Sequence, residues 1–202
     1  MTLAKEKPIL FSTEMVRAIL AGRKTQTRRV MKPQPDSPIY KLPGRSEWFF
    51  GRCKENNYTD TIVKPRYQKG DILWIRETWG DNGERIFYKA DSADTSKMYG
   101  GWKPSIHMPR AAARIFLRVA DVRVERLQEI SEDDAIAEGC KYDWDGNDWR
   151  TFYTIDKKTP INSSRAKFGS LWNKINAKRS YGWGVNPWIW VYTFEQTQEG
   201  QA

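Results

Sequence analysis

The stretch Arg110-Ala111-Ala112-Ala113-Arg114-Ile115-Phe116-Leu117-Arg118-Val119-Ala120-Asp121-Val122-Arg123-Val124 alternates along most of its length. Ala111, Ala113, Ile115, Leu117 and Val119 fall on one side of an extended chain, and Arg110, Arg114, Phe116 and Arg118 on the other. That spacing predicts a half-buried strand with a basic outer face. The apolar parity changes at Val122 and Val124, which requires a bulge or bend near Ala120-Asp121. Small barrels turn their corners this way.

The flanking sequence completes a mixed fold. Gly70-Asp71 is a turn into Ile72-Leu73-Trp74-Ile75, an apolar run suited to a strand buried on both faces, with residues 85–88 as its expected hairpin partner. Ile9-Leu10-Phe11-Ser12 reads as a strand. Ser12 or Thr13 then caps a helix carrying Met15, Val16, Ile19 and Leu20, Gly22 ends it, and residues 25–30 continue extended. Ser131-Glu132-Asp133-Asp134 has the N-cap serine and first-turn acids of a short helix that stops at Gly139. Ser163 or Ser164 opens another helix, with Phe168, Leu171, Trp172 and Ile175 on one stripe. In the last strand Trp188, Trp190, Tyr192 and Phe194 share a face assigned to the core, and Ile189 and Val191 take the other. Residues 31–68, rich in proline and poor in periodicity, and residues 140–163 read as excursions outside the core, the first shaped to act as a lid. Strands and helices in mixed order predict one α+β domain, a small β-barrel with peripheral helices, spanning residues 1–202.

Composition narrows the chemistry. No apolar run is long enough to span a bilayer and the N-terminus lacks the apolar core of a secretory signal, so a cytoplasmic protein without membrane partners is expected. Cys53 and Cys140 stand far apart, and His107 is the only histidine, so neither a disulfide framework nor a His or Cys metal site is suggested. The net charge of +9 favours polyanionic partners, RNA or DNA among them.

Ile19-Leu20-Ala21-Gly22-Arg23-Lys24-Thr25-Gln26-Thr27, followed by Gly70-Asp71-Ile72-Leu73-Trp74, resembles the ASCH family, whose members share a PUA-like β-barrel. The ending Asn186-Pro187-Trp188-Ile189-Trp190-Val191 is similar to a variant often carried by phages and prophages. Within the family, small bacterial N4-acetylcytidine amidohydrolases share a helix ending in Ala-Gly-Arg-Lys-Thr-x-Thr, which Ala21 to Thr27 match, and a later short helix that supplies a glutamate. Aligning Ile130-Ser131-Glu132 with their Leu-Thr-Glu stretch places that glutamate at Glu138. The resemblance implies that Thr27 is the nucleophile, Lys24 its proton acceptor and Glu138 the proton donor to the leaving amine, acting on a modified nucleoside without cofactor or metal. The chain departs from those enzymes in its two excursions and in Arg28-Arg29, which follow Thr27.

Attack by Thr27 on an exocyclic amide would give an acyl-threonine that water later clears. Lys24 must be neutral to accept a proton and Glu138 must carry one to give. Lys24 and Thr27 are three residues apart, so in one straight strand they would face opposite ways, and the Gly22 turn must bend the chain at Lys24 for them to meet. Arg23, Arg28, Arg76, Glu77 and Arg114 are the candidate substrate-binding residues. Arg76 and Glu77, at a strand end, either support the site as an ion pair or touch ligand, and the Arg110, Arg114, Arg118 stripe is either a solvated face or a track for phosphates. Two other functions fit the same sequence: a non-catalytic module that binds RNA or modified nucleic acid, and a metal-independent ribonuclease. A closed pocket beside Lys24, Thr27 and Glu138 favours the amidohydrolase, and an open basic groove favours the binder.

Overall fold

A computed structural model of the chain describes residues 5–43, 47–54, 57–92, 101–140 and 163–198. Its elements run β1 (Glu6–Leu10), α1 (Thr13–Leu20), β2 (Gln26–Val30), β3 (Ile39–Tyr40), β4 (Trp48–Lys54), β5 (Asn57–Val63), β6 (Ile72–Arg76), β7 (Trp79–Asp81), β8 (Ile86–Tyr88), β9 (Phe116–Arg126), α2 (Glu132–Ala137), α3 (Ser164–Asn176) and β10 (Trp188–Thr197). The fold is a mixture of helices and sheets of the α+β type. No helix among these residues is long and apolar enough to cross a membrane.

The main sheet has the order β1-β6-β9-β10-β2, with β1 parallel to β6 and the other pairs antiparallel. Pro8, which has no N–H to give to a ladder, sits in an edge strand. Five flat strands would hold the two edges roughly 19 Å apart. Yet Arg29 on β2 donates from Nη2 to the Leu10 carbonyl on β1 at 2.9 Å, so the sheet is rolled. No ladder joins β1 to β2 among the described residues, and the roll stays open along that seam. Its bend is where parity requires it: Thr193 pairs with Asp121 and Phe194 with Val119, leaving Ala120 as the extra residue of a bulge.

β10 is buried on both faces. Trp190, Tyr192 and Phe194 join the larger core with Ile9, Val16, Ile19, Leu73, Ile75, Leu117 and Val119. Ile189 and Val191 face a second core built from Phe168 and Trp172 of α3, Leu127 and Trp183. The helix ends form as their caps predict: Ser12, Ser131 and Ser163 accept from Met15, Asp134 and Ala166 N–H groups.

Three expectations are corrected. The strand that the alternation predicts from Arg110 begins at Phe116, because residues 110–112 follow Pro109 and turn as a 3₁₀ segment, for which their alanine run offers no β preference. The stripe is also paired: Arg110 Nε lies 2.7 Å from Glu6, and Arg114 Nε and Nη1 lie 2.9 and 2.6 Å from Glu77 and Asp91. Residues 86–88 pair with β7 and not with β6, both of whose edges are occupied by β1 and β9. The first excursion forms a β3-β4-β5 meander whose Phe50 and Val63, with the following Tyr67, belong to the main core. Its prolines lie in the connections and hide the strands between them. Cys140 is buried at the start of the second excursion, and residues 141–162 lie outside the described residues.

Candidate active site

The site starts where two helices end. Gly22, at φ +68°, reverses the chain after α1, and the N–H groups of Arg23 and Lys24 both donate to the Ala18 carbonyl, at 2.8 and 3.0 Å. Lys24 then pairs with Glu138, the C-cap of α2, in a lone antiparallel bridge, and the Thr25 N–H donates to the Ala137 carbonyl at 2.8 Å. Gly139 closes α2 at φ +87°, and a Cβ there would stand 3.1 Å from that of Ala18 and 3.4 Å from that of Lys24. One glycine at each helix end therefore allows the approach. Lys24 precedes β2, so it and Thr27 do not share one regular strand.

The Lys24 side chain is wholly buried and meets three acceptors: the Gln26 carbonyl at 2.8 Å, the Glu138 carbonyl at 2.8 Å and Glu138 Oε2 at 2.6 Å. An ammonium has three N–H groups, so each is used. The Gln26 carbonyl belongs to the peptide that joins Gln26 to Thr27, which sets Nζ against the backbone of Thr27. Arg28, also wholly buried, lies with Nη1 3.3 Å from Glu138 Oε1 and Nη2 2.8 Å from Glu125 and 3.0 Å from Asp134. Arg123 bonds Asp134 and Glu125 from the far side, at 3.0 and 3.1 Å. Three cations thus balance three carboxylates. Burial pushes the Asp134 carboxyl up, but Arg28 and Arg123 outweigh it and hold the group below the usual carboxylate range. Burial pushes the nearby Cys140 thiol up to about 11, which leaves it unreactive.

A cavity of about 520 Å³ opens above this cluster. Thr27, Arg28, Arg29 and Val30 all line it, and consecutive residues of both parities can do so only along a strand's edge. Pro8 and Leu10 of β1 form the opposite lip, so the cavity fills the seam of the rolled sheet. α3 contributes Phe168, Leu171, Trp172 and Ile175, and β10 contributes Trp190 and Tyr192.

Of the residues singled out by sequence, Thr27, Arg28, Arg76 and Glu138 line the cavity, and Lys24 meets it through Glu138. Arg23 is exposed and stands outside it. Glu77 and Arg114 are also outside, in a separate cluster where Arg114 bridges Glu77 and Asp91 and covers the Tyr88 ring at 3.8 Å. Burial raises the Glu77 carboxyl despite the Arg114 bonds. Sequence reasoning missed Arg66, Arg179 and Tyr181 as lining residues, as well as Glu125 and Asp134 beneath Arg28. For Arg66 a signal existed in Arg66-Tyr67, a cation beside an aromatic just before the Gly70 turn.

Among the described residues no group of three His, Cys, Asp or Glu side chains is arranged to hold a metal ion. Comparison with protein-family models, curated proteins and solved structures finds no match to the chain.

Proposed function

We propose that the chain is an ASCH-type protein on a PUA-like barrel that hydrolyses the exocyclic amide of N4-acylated cytidine, with Thr27 as nucleophile, Lys24 as base and Glu138 as acid. The observation that carries this reading is the 2.6 Å contact of Lys24 Nζ with Glu138 Oε2, buried beside a cavity whose wall includes Thr27. A proton passing from Nζ to Oε2 converts the ion pair into a neutral amine and a neutral acid, the two states the reaction needs, without changing the charge of the site. The amine turns from Oε2 toward Thr27 and takes its hydroxyl proton as Oγ1 attacks the acyl carbon, and the oxyanion forms among the cationic walls. The acid gives its proton to N4 as the C–N bond breaks, which frees cytidine and restores the ion pair. A second Nζ-to-Oε2 transfer lets the amine take a proton from water as water attacks the acyl-threonine. Glu138 then protonates the departing Thr27 oxygen.

The basic stripe argues against a module that tracks long strands, since its Arg110 and Arg114 are held by carboxylates. The test is to incubate the protein with N4-acetylcytidine, quench in acid and map the acetyl group by peptide mass. The expected result is one acetyl on Thr27, absent from Thr27→Ala. Cytidine release by Thr27→Ala at the wild-type rate would contradict the assignment.

A further inference from the structure

Seven of the described residues that line the seam cavity are lysine or arginine, and Glu138 is the only acid among these described residues. Arg28 is matched by the carboxylates beneath it, and Lys64 stands 3.6 Å from Glu47. For the other five, Arg29, Lys32, Arg66, Arg76 and Arg179, no carboxylate forms an ion pair among the described residues. Aromatic faces and carbonyls hold the first four of them. Arg29 lies over the Phe11 ring at 5.5 Å and donates to the Leu10 carbonyl, while Lys32 lies over Tyr181 at 5.5 Å and Arg66 over Tyr67 at 5.6 Å. Arg76 lies over Trp74 and donates from Nη2 to the Ile106 carbonyl, and its Nε is buried with no partner. Such contacts fix a cation's position without cancelling its charge.

Burial lowers the Arg29 pKa, whereas Lys32, Arg66 and Arg179 are exposed to solvent. A neutral nucleoside would leave this concentration of positive charge unmatched, whereas a phosphate accepts hydrogen bonds from several such donors at once. We infer that the cavity binds a nucleotide, with the base against the aromatic wall near Thr27 and Glu138 and a phosphate of the sugar held by the unpaired cations. This rests on the amidohydrolase reading for the identity of the base, and it makes the substrate an N4-acylated cytidine monophosphate in preference to the free nucleoside.

Binding separates this inference from the catalytic reading. Calorimetric titration of the full chain with cytidine, cytidine 5′-monophosphate and a cytidine trinucleotide, at low and high salt, needs no turnover. The expected result is that the monophosphate binds at least tenfold more tightly than cytidine, that salt erodes the ratio, and that an Arg66→Gln/Arg179→Gln variant of unchanged melting temperature reduces it severalfold. Equal affinity for cytidine and its monophosphate, no binding of either, or an unaltered ratio in the variant would overturn the proposal. So would a trinucleotide that outbinds the monophosphate by a further tenfold, which would make the ligand a strand. Phosphate preference without any hydrolysis of N4-acetylcytidine or its monophosphate would leave the nucleotide site standing and remove the amidohydrolase. Hydrolysis without phosphate preference would do the reverse.

Discussion

Lys24 Nζ and Glu138 Oε2 lie 2.6 Å apart at the meeting point of two helix ends, the Lys24 side chain wholly buried and that of Glu138 buried at the cavity wall. Their coupling should appear in stability as well as in catalysis. Lys24→Met leaves Glu138 with Arg28 as its remaining partner and is expected to cost about 3 kcal/mol by urea denaturation. Adding Glu138→Leu should cost less than the sum of the two single changes, because the second removes a charge the first has stranded. Strict additivity would show that the contact carries no energy.

The glycines of the two turns separate backbone strain from crowding. Gly22 sits at φ +68° with open space around its α-carbon, whereas Gly139 sits at φ +87° against Ala18 and Lys24. Gly22→Ala is therefore expected to cost only about 1 kcal/mol and to keep turnover. Gly139→Ala should cost roughly 2 kcal/mol or more and lower kcat, because the turn beside Glu138 is strained for an L residue and the added methyl crowds Ala18. Thermal melts with a hydrolysis assay distinguish the two.

Acid should unlock the cluster beneath Arg28. Asp134 is held below its ordinary value, so its contribution is present above the unfolded carboxylate range and is lost as pH falls through its lower folded value. Asp134→Asn is expected to be less stable than wild type by about 2 kcal/mol at pH 7, with the difference shrinking below about pH 4. A constant difference from pH 7 to pH 2 would contradict the pairing.

Arg114 is assigned to the support of the fold. Arg114→Met strands the buried Glu77 carboxylate and is expected to destabilise by about 3 kcal/mol without changing KM. Glu77 is raised by burial, so the folded state takes up a proton more readily than the unfolded one, and stability is lost as pH rises through the folded value. The deficit of the variant should accordingly be smaller at pH 5 than at pH 8.

Local chemistry was legible in the sequence, and distant pairing was not. Serine caps, the Gly22 and Gly139 stops, the two faces of β10 and the Ala120 bulge all follow from neighbours within a few residues. The Arg110 alternation overreached because spacing alone does not register the Pro109 turn or the weak β preference of alanine. Lys24 and Glu138 are 114 residues apart, and Arg28 and Glu125 97, so no periodicity could join them, and only the family likeness singled out the first pair. The cation-rich wall was hidden for the same reason, since Arg29, Arg66 and Arg179 come from three separate segments.

The most direct test of the central claim is ultraviolet-monitored hydrolysis of N4-acetylcytidine and its 5′-monophosphate by the wild type beside Thr27→Ala, Lys24→Met and Glu138→Gln, each checked for a native melt. The account predicts turnover of at least one substrate by the wild type and a loss of a hundredfold or more in every variant that folds. A folded wild type that releases no cytidine from either substrate, or folded variants that match its rate, would contradict it.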